Sequence, residues 1–475
     1  MKLEEYDAVI IGSGSNGLSA AIRLQQQGLK TIIYEHANAP GGSTKTEELT
    51  LPGFKHDVGS SILPLGYASP FLSTLPLENF GLKWIFPEIP FSQPFEDGSA
   101  LACYQDIEQT ATELGKDKES YLNLFQPLVE KWDEIEEDLL GPLGWPQSPL
   151  EFLKFGFKAL PSAAMIANHY FKNDQTKAFF YGSAAHSTLP LKSLASSSFG
   201  LVLTALAHKC GWPFPQGGAG NFTKALVAYY RSLGGQLELS HTISDIQELP
   251  KSKTYLFDLT PKQLLKIKGL ELSWLYKKRL KTYKYGAGVF KIDWALKEPI
   301  PFLNEKCRRS GTVHLGFSTQ EMEDSEHQIH NGQMTDKPYV LIAQHSLFDD
   351  TRAPMGKHTA WAYCHVPHGS TKDYSELIEN QIERAAPGFK DCILKRSTMN
   401  TEQLHVFNPN IIGGDINGGR QDITQLFTRP LIKISPYKTS NSKIYLCSSS
   451  TPPGGGVHGM CGFHAAEQAI NDHFS

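Results

Sequence analysis

The chain has 475 residues, a formal net charge of −4, and 40% hydrophobic and 20% charged residues, which is typical of a globular protein in water. This length exceeds that of one ordinary hydrophobic core, so we expect at least two folding units. The balanced charge gives no reason to expect a nucleic-acid partner, and seven scattered cysteines without a C-x-x-C pair indicate reduced thiols rather than a disulfide framework or a zinc site.

The N-terminal residues MKLEEYD lack the basic region and the apolar stretch of a secretory signal. No apolar run in the sequence approaches the length needed to cross a bilayer. We therefore expect a cytoplasmic protein.

Residues 6–35, YDAVIIGSGSNGLSAAIRLQQQGLKTIIYE, predict a buried strand, a glycine turn, a helix that stops at Gly28 and a second strand. In this pattern Gly12 permits the tight turn, Gly14 lets the backbone approach a pyrophosphate, and Gly17 lets the helix pack on the strand. The helix start offers free N–H groups to phosphate oxygens. Glu35, 18 residues after Gly17, is spaced to bind ribose hydroxyls, so the unit predicts a site for FAD or NAD.

The following segment, HANAPGGSTKTEELTLPGFKHDVGSS, contains the glycine pair 41–42. Such a pair lets a second loop close over a diphosphate, although an ordinary surface turn has the same composition. Further along the segment, His56 and Asp57 are candidate wall residues of a catalytic site. For Asp57, a structural capping role is the alternative that we favour.

The segment PLEFLKFGFKALPSAAMIANHYF (149–171) is aromatic and amphipathic. It predicts a helix that packs on the core, with a channel for a hydrophobic substrate or peripheral contact with a bilayer as alternatives. The basic run KKRLKTYK (277–284) indicates a solvated helix face, with contact to anionic lipid headgroups as the alternative. In CHVPH (364–368) a proline separates the histidines, so we expect a loop and no metal site.

The C-terminal segment SKIYLCSSSTPPGGGVHGMCGFHAAEQAIND predicts another strand, glycine loop and helix. The oriented N-terminus of this helix would stabilise negative charge on a reduced flavin. A flexible loop before a terminal helix is the alternative.

Together these stretches resemble the phytoene-dehydrogenase-like flavoproteins, relatives of the carotenoid desaturases and the flavin amine oxidases. The matching stretches cover essentially the whole chain and are AVIIGSGSNGLSAAIRL, YEHANAPGGS, GFKHDVGSS, GGAGNFTKALVAYYRSLGG, GVFKIDWAL, NPNIIGGDINGG and YLCSSSTPPGGGVHGMCGFHAA.

The resemblance implies an FAD site assembled from both ends of the chain. It places Gly12, Ser13, Gly14, Asn16 and Gly17 at the pyrophosphate, Glu35 at the adenosine ribose, Gly42 and Ser43 at the diphosphate, Ile243 at the adenine, and Val457, His458, Gly459 and Met460 at the flavin ring. Members of the family often carry an arginine where this chain has Ser43.

The expected fold is α/β, with a Rossmann-like FAD-binding domain (1–75, 213–264 and 419–475) and a discontinuous α+β substrate domain (76–212 and 265–418). In relatives a longer β-hairpin follows the strand predicted in QLELSHTISDI; here QELPKSKTYLFDLTP is compressed, so we expect that hairpin to be short or absent.

The resemblance implies an FAD-dependent oxidoreductase that desaturates a hydrophobic small molecule. His458, which titrates near neutrality when unperturbed, is a candidate for proton transfer beside Asp57 and His56, with a structural contact as its alternative. A flavin amine oxidase, a non-redox FAD-dependent isomerase and a non-catalytic FAD-stabilised interaction protein remain open.

Overall fold

The protein is described by a computed structural model for residues 6–426 and 428–475. Within these residues one sheet is parallel throughout. Its hydrogen-bonded order is β16 (Ile444–Leu446), β10 (Ser252–Phe257), β1 (Tyr6–Ile11), β2 (Thr31–Tyr34) and β9 (Gln236–Glu238).

A second sheet is antiparallel except where its strands β12 and β6 pair in parallel. Its order is β15 (Ile393–Met399), β11 (Gly288–Leu296), β14 (His358–Val366), β13 (Val340–Ala343), β12 (Ser310–Leu315), β6 (Ile89–Pro94) and β7 (Ala100–Cys103). Two short pairs complete the strands of the described residues: β3 (Thr46–Glu47) with β4 (His56–Asp57), and β5 (Trp84–Ile85) with β8 (Phe214–Pro215).

The helices of the described residues up to 232 are α1 (Ser15–Gln26), α2 (Pro64–Tyr67), α3 (Ile107–Glu113), α4 (Lys118–Glu130), α5 (Trp132–Leu139), α6 (Pro149–Ala159), α7 (Ala163–Tyr170), α8 (Asp174–Ala184), α9 (Ser197–Cys210) and α10 (Ala219–Ser232). Those that follow are α11 (Pro261–Leu264), α12 (Trp274–Leu280), α13 (Glu305–Arg308), α14 (Thr319–His330), α15 (Ser375–Ala385), α16 (Phe389–Cys392), α17 (Thr401–Phe407) and α18 (Met460–His473).

The parallel sheet is buried on both faces, which explains why β1 is apolar without alternation. Helices α1, α10 and α18 cover one face around Leu18, Leu226 and Ala466. The other face packs against Leu264, Tyr276 and their neighbours. The expected strand, turn and helix at both chain ends are confirmed, as is the α/β fold class.

The antiparallel sheet is also covered on both faces. Alternate residues of β11, Phe290, Ile292 and Trp294, pack against α15 and its surroundings. The opposite face turns toward a helical layer built mainly from residues 107–210. This arrangement follows from the two-residue period of strands, which sends successive side chains to opposite faces.

The strands of the parallel sheet all come from the segments expected for the FAD-binding domain, and those of the antiparallel sheet come from the segments expected for the substrate domain. The exact domain boundaries stay a prediction. Residues 239–251 connect β9 to β10 without a hairpin, as the compressed sequence indicates. Leu270, Leu272, Tyr276 and Leu280 pack with the parallel sheet, so the chain leaves that sheet later than residue 264.

The aromatic segment 149–171 forms two helices, α6 and α7, rather than one. Phe155 and Ala159 of α6 pack in the core of the helical layer, as expected, whereas Leu150, Leu153 and Phe157 of the same helix are exposed. In the described part of the chain no helix has the length and apolar character needed to span a bilayer.

Candidate functional site

A cavity of about 600 Å³ lies between the carboxyl ends of the parallel strands and one face of the antiparallel sheet. Its lower wall includes residues that directly follow β1, β2, β10 and β16, and its upper wall includes side chains of β11, β12, β13 and β14. Cavities of this size bind small molecules and cofactors, and in open α/β sheets such ligands bind at the carboxyl ends of the strands.

The first glycine turn forms one wall of the cavity, through Gly12, Ser13, Gly14 and Asn16. Gly12 has φ +99°, a left-handed conformation that favours glycine. Gly17 lies behind the wall, where an added Cβ would overlap the carbonyl oxygen of Gly12. Gly17 therefore lets α1 pack against β1, while the other four residues are accessible to a ligand.

Glu35 directly follows β2 at the same wall and is hydrogen-bonded to the glycine turn. Its Oε2 accepts hydrogen bonds from Ser13 N at 2.9 Å and Ser13 Oγ at 2.7 Å, and its Oε1 accepts one from Ala37 N at 2.9 Å. Burial by itself raises the pKa of Glu35, but the hydrogen bonds from His36, Ser13 and Ala37 outweigh it and lower the pKa to about 2. Glu35 is therefore a carboxylate at neutral pH.

The second glycine pair packs directly on the first turn. Gly41 N donates to Ser13 O at 3.0 Å, and a Cβ added to Gly42 would lie 3.2 Å from Gly14 Cα. Gly42 and Ser43 line the cavity, and Ser43 Oγ accepts a hydrogen bond from Asn408 Nδ2 at 3.1 Å. The two loops thus form one continuous surface.

Residues 242–244 extend this surface beyond Glu35. His241 N donates to Glu35 O at 2.8 Å, which holds the segment after β9 beside β2. Thr242, Ile243 and Ser244 line the cavity there. The structure therefore brings Ile243 to the same end of the cavity as Glu35.

The C-terminal loop forms another part of the wall through Gly455, Gly456 and Val457. Gly459 and Met460 lie behind it, and a Cβ on Gly459 would overlap Ser19 Oγ of α1. Gly459 therefore permits close contact between α18 and α1. Of the four residues that we expected at the flavin ring, only Val457 lines the cavity.

His458 is buried, and both of its ring nitrogens face the backbone. Met460 N donates to His458 Nδ1 at 3.0 Å, and His458 Nε2 lies 3.2 Å from Gly454 O. Burial lowers the pKa of His458 to about 4. This arrangement stabilises the glycine loop and does not support the proton-transfer role that we expected.

Asp57 does not line the cavity, and its carboxylate instead forms structural hydrogen bonds. Its Oδ1 accepts hydrogen bonds from Thr46 Oγ1 at 2.7 Å and from Ala219 N at 2.8 Å, at the start of α10. Its Oδ2 accepts one from Arg352 Nη2 at 2.9 Å. Burial raises the pKa of Asp57, but Arg352 and the other partners outweigh it and lower the pKa to about 2. The capping alternative fits this geometry.

His56 lies behind the cavity wall as well. Its Nε2 lies 2.7 Å from Thr50 Oγ1, and its Nδ1 lies 3.6 Å from Asp293 Oδ1. Burial, with the nearby charge of Lys291, lowers the pKa of His56 to about 3. A neutral, enclosed imidazole does not support the catalytic role that we expected.

Two polar residues that we did not single out do line the cavity in this region, Lys291 and Ser61. Lys291 Nζ is paired with Asp293 Oδ2, and both side chains are buried. Burial raises the pKa of Asp293 to about 6, although Lys291 opposes the rise. The sequence pattern that could have identified this pair is FKIDW, in which a lysine and an aspartate share one face of an otherwise apolar strand.

The remaining upper wall is mainly apolar and aromatic, with His186 and Thr312 as its polar members. Trp361 and Tyr363 of β14 lie side by side with ring centroids 5.3 Å apart. Phe199, Leu203 and Leu341 line the cavity near them. This half of the cavity excludes water from whatever it holds and offers little hydrogen bonding.

No group of three or more His, Cys, Asp or Glu side chains within residues 6–426 and 428–475 is arranged to hold a metal ion. Cys364 and His365 lie on β14, so our expectation of a loop at CHVPH was wrong for these two residues. His365 Nδ1 lies 2.9 Å from both carboxylate oxygens of Glu326, which comes from α14 and was not visible in the local sequence.

A family model described as an NAD(P)-binding Rossmann-like domain matches residues 10–75. The chain is 25% identical to the rat pyridine nucleotide-disulfide oxidoreductase domain-containing protein 2, over 98% of this chain and 94% of that protein. It is 23% identical to the 4,4'-diaponeurosporene oxygenase of Staphylococcus aureus, over 79% of this chain and 80% of that enzyme.

Solved structures share the fold along the whole chain. An oxidoreductase from Methanosarcina mazei superposes with a TM-score of 0.66 at 15% identity, covering 98% of this chain and 99% of that one. Cyclohexylamine oxidase from Brevibacterium oxydans superposes with a TM-score of 0.61 at 14% identity, covering 99% of each chain. At these identities the superpositions describe the fold alone.

The fold and the sequence relatives imply an oxidoreductase with a flavin or nucleotide cofactor, and the two-domain architecture is that of the flavin-dependent oxidases. The chain is thus similar in sequence to oxidoreductases over most of its length, and residues 10–75 match the NAD(P)-binding Rossmann-like domain.

Proposed function

We propose that this protein is an FAD-dependent dehydrogenase that desaturates a hydrophobic small molecule. The observation that carries the proposal is one continuous cavity, which joins two glycine turns and the carboxylate of Glu35 to a mainly apolar, aromatic wall. A dinucleotide fits the first half by its hydrogen-bonding groups, and an apolar substrate fits the second half.

The residues present fit FAD. The glycine turns leave a surface free of Cβ atoms at Gly12, Gly14 and Gly42, and the N-terminus of α1, whose first residues Ser15 and Asn16 line the cavity, borders it. Glu35 would hold the adenosine ribose and Ile243 would border the adenine. Ser43 would meet the diphosphate, and Val457 would face the ring at the other end of the cavity.

When bound, FAD supplies a two-electron oxidant. The chain's own part is to orient the substrate against the aromatic wall, exclude water and accept a proton. Lys291 Nζ is the candidate proton carrier, because it lines the cavity and is paired with Asp293 behind the wall. Within this ion pair Lys291 would pass one of its own protons to the Asp293 carboxylate as it takes one from the substrate, and the pKa of Asp293, raised to about 6 by burial, suits that carboxylate to hold the proton near neutral pH.

Amine oxidation is a second candidate, and one observation favours it. Trp361 and Tyr363 form an aromatic pair on the cavity wall, at an interplanar angle of 78°. Neighbouring aromatic faces attract cationic and amine groups. An apolar amine would therefore bind in the same place as an apolar alkene precursor.

The test is to mix the oxidised protein anaerobically with saturated lipids, polyenes and apolar amines and to follow flavin absorbance. The proposal predicts bleaching with a lipid or polyene and a product that has lost two hydrogen atoms. Bleaching by amines alone, with peroxide release in air, would establish the second candidate. A flavin that no member of the panel bleaches would contradict both.

A further inference from the structure

Asp258 is an acidic residue at the point where a dinucleotide is expected. It directly follows β10, which lies beside β1 in the parallel sheet. The chain connects β1 to β2 on one side and β10 lies on the other, so Asp258 sits at the switch point where open α/β sheets bind ligands. It lines the same cavity as Gly12 and Gly14.

The backbone of Asp258 is held from both sides. Its N–H donates to Ile11 O at 2.8 Å, and its carbonyl oxygen accepts a hydrogen bond from Asn410 Nδ2 at 2.9 Å. A Cβ added to Gly12 would lie 3.1 Å from the Cβ of Asp258. The backbone contacts therefore hold the Cβ of Asp258 directly beneath the glycine turn.

The carboxyl group occupies the N-terminus of α1. Asp258 Oδ2 accepts a hydrogen bond from Gly17 N at 3.1 Å, and a Cβ added to Gly14 would lie 2.6 Å from Oδ2. No lysine or arginine forms an ion pair with Asp258 anywhere in the described residues. An ionised Asp258 would thus place a negative charge, compensated only by the N-terminus of α1, beside the surface that receives a diphosphate.

Among the titratable groups that face one another around Asp258, only Asp258 has a pKa near neutrality. Burial raises the pKa of Asp258 to about 7; the hydrogen bond from Gly17 opposes the rise and the charge of Glu35 adds to it. Glu35 stays ionised because its pKa is about 2. Burial raises the pKa of Cys447, which follows β16, and of Cys461 in α18, so both remain neutral thiols.

We propose that binding of the FAD diphosphate is coupled to protonation of Asp258, so that the affinity for FAD falls as pH rises through neutrality. The proton comes from solvent and is bound at the carboxylate of Asp258, and no other bond forms or breaks. Like-charge repulsion in a buried site is the physical cause. This inference rests on the proposed function and assigns to its cofactor site a proton-binding residue.

The experiment measures the Kd of the apoprotein for FAD from pH 6 to 9, with calorimetry in two buffers of different ionisation enthalpy to count protons. The inference predicts a Kd that rises above pH 7, by up to about tenfold per pH unit, with uptake of up to about one proton per FAD at pH 8. Asp258→Asn keeps an acceptor for Gly17 N–H, and it should bind FAD without proton uptake and with a flat pH profile.

His36→Gln is the matched control, because His36 is a partly exposed group that contacts Glu35 rather than Asp258. This variant should keep the pH slope. A flat profile and no proton uptake in the wild-type protein would overturn the coupling and leave FAD binding intact, and so would a slope that persists in Asp258→Asn. Absence of FAD binding at every pH would instead overturn the proposed function and, with it, this inference.

Discussion

Arg352 Nη2 donates a hydrogen bond of 2.9 Å to Asp57 Oδ2, joining a loop next to the antiparallel sheet to the strand that follows the second glycine pair. Both side chains are fully buried. The same carboxylate caps α10 through Ala219 N, so one acidic side chain connects three segments that are distant in sequence. Its contacts explain why an aspartate is needed at this position.

Replacing Arg352 with methionine should strongly destabilise the protein, because it leaves Asp57 buried without its cation. We expect a loss of about 3–5 kcal/mol in the free energy of unfolding, measured by urea denaturation. Arg309→Met is the control, because Arg309 pairs with Glu88 at the exposed surface and its loss should cost less than about 1 kcal/mol. Equal losses in both variants would contradict the structural role of Asp57.

Replacing Gly17 with alanine should disrupt the packing of α1 on β1, since the new Cβ would overlap Gly12 O. We expect a lower melting temperature and loss of FAD binding together, measured by thermal denaturation and cofactor titration. Gly156→Ala is the matched control in the exposed helix α6, where a new Cβ meets nothing within 4 Å. That change should leave stability unchanged or raise it slightly. A stable Gly17→Ala protein that binds FAD normally would rule out this account of the turn.

Replacing Lys291 with methionine should slow reduction of the bound flavin by substrate by about a hundredfold or more, because the substrate's proton would no longer be relayed through Lys291 to Asp293. Rapid-mixing absorbance gives the rate, and the FAD content of the variant shows whether the cofactor site is intact. Lys297→Met, an exposed lysine just after the same strand, should keep the wild-type rate. An undiminished rate in Lys291→Met would remove Lys291 from the mechanism.

Helix α6 and the loop that precedes it expose an apolar surface, in which the side chain of Trp145 is 90% exposed and that of Phe157 is 72% exposed. We expect this surface to contact bilayers peripherally. Neighbouring helix α5, with the sequence WDEIEEDL, carries five acids, so phosphatidylcholine vesicles should bind the protein better than anionic ones. Vesicle sedimentation should show binding that is lost in a Trp145→Ser, Phe157→Ser double variant and kept in Leu303→Ser, an exposed leucine elsewhere. Binding that the double variant retains would place the contact on another surface.

The parts of the site that could be predicted from sequence are those that one segment builds alone. The turn at Gly12, the helix after it and Glu35 lie within 30 residues, and their spacing carries the information. The strand, loop and helix at the C-terminus are local in the same way. In these segments the order of an apolar strand, a glycine turn and an amphipathic helix determines the local backbone structure.

The parts that could not be predicted depend on contacts between distant segments. Asp258 reaches Gly17 across 241 positions in the chain, and Asp57 reaches Arg352 across 295. The direction of the His458 ring was also hidden, because its partners are backbone atoms positioned by the loop. Lys291 and Asp293 were the exception, since two charges on one face of a buried strand are visible in the sequence.

The most direct test of the central account is the flavin content of the purified protein. Denaturing the folded protein and analysing the released chromophore should give about one FAD per chain, either as purified or after incubation with FAD. A folded, colourless protein that gains no bound flavin when FAD is supplied in excess would contradict the account.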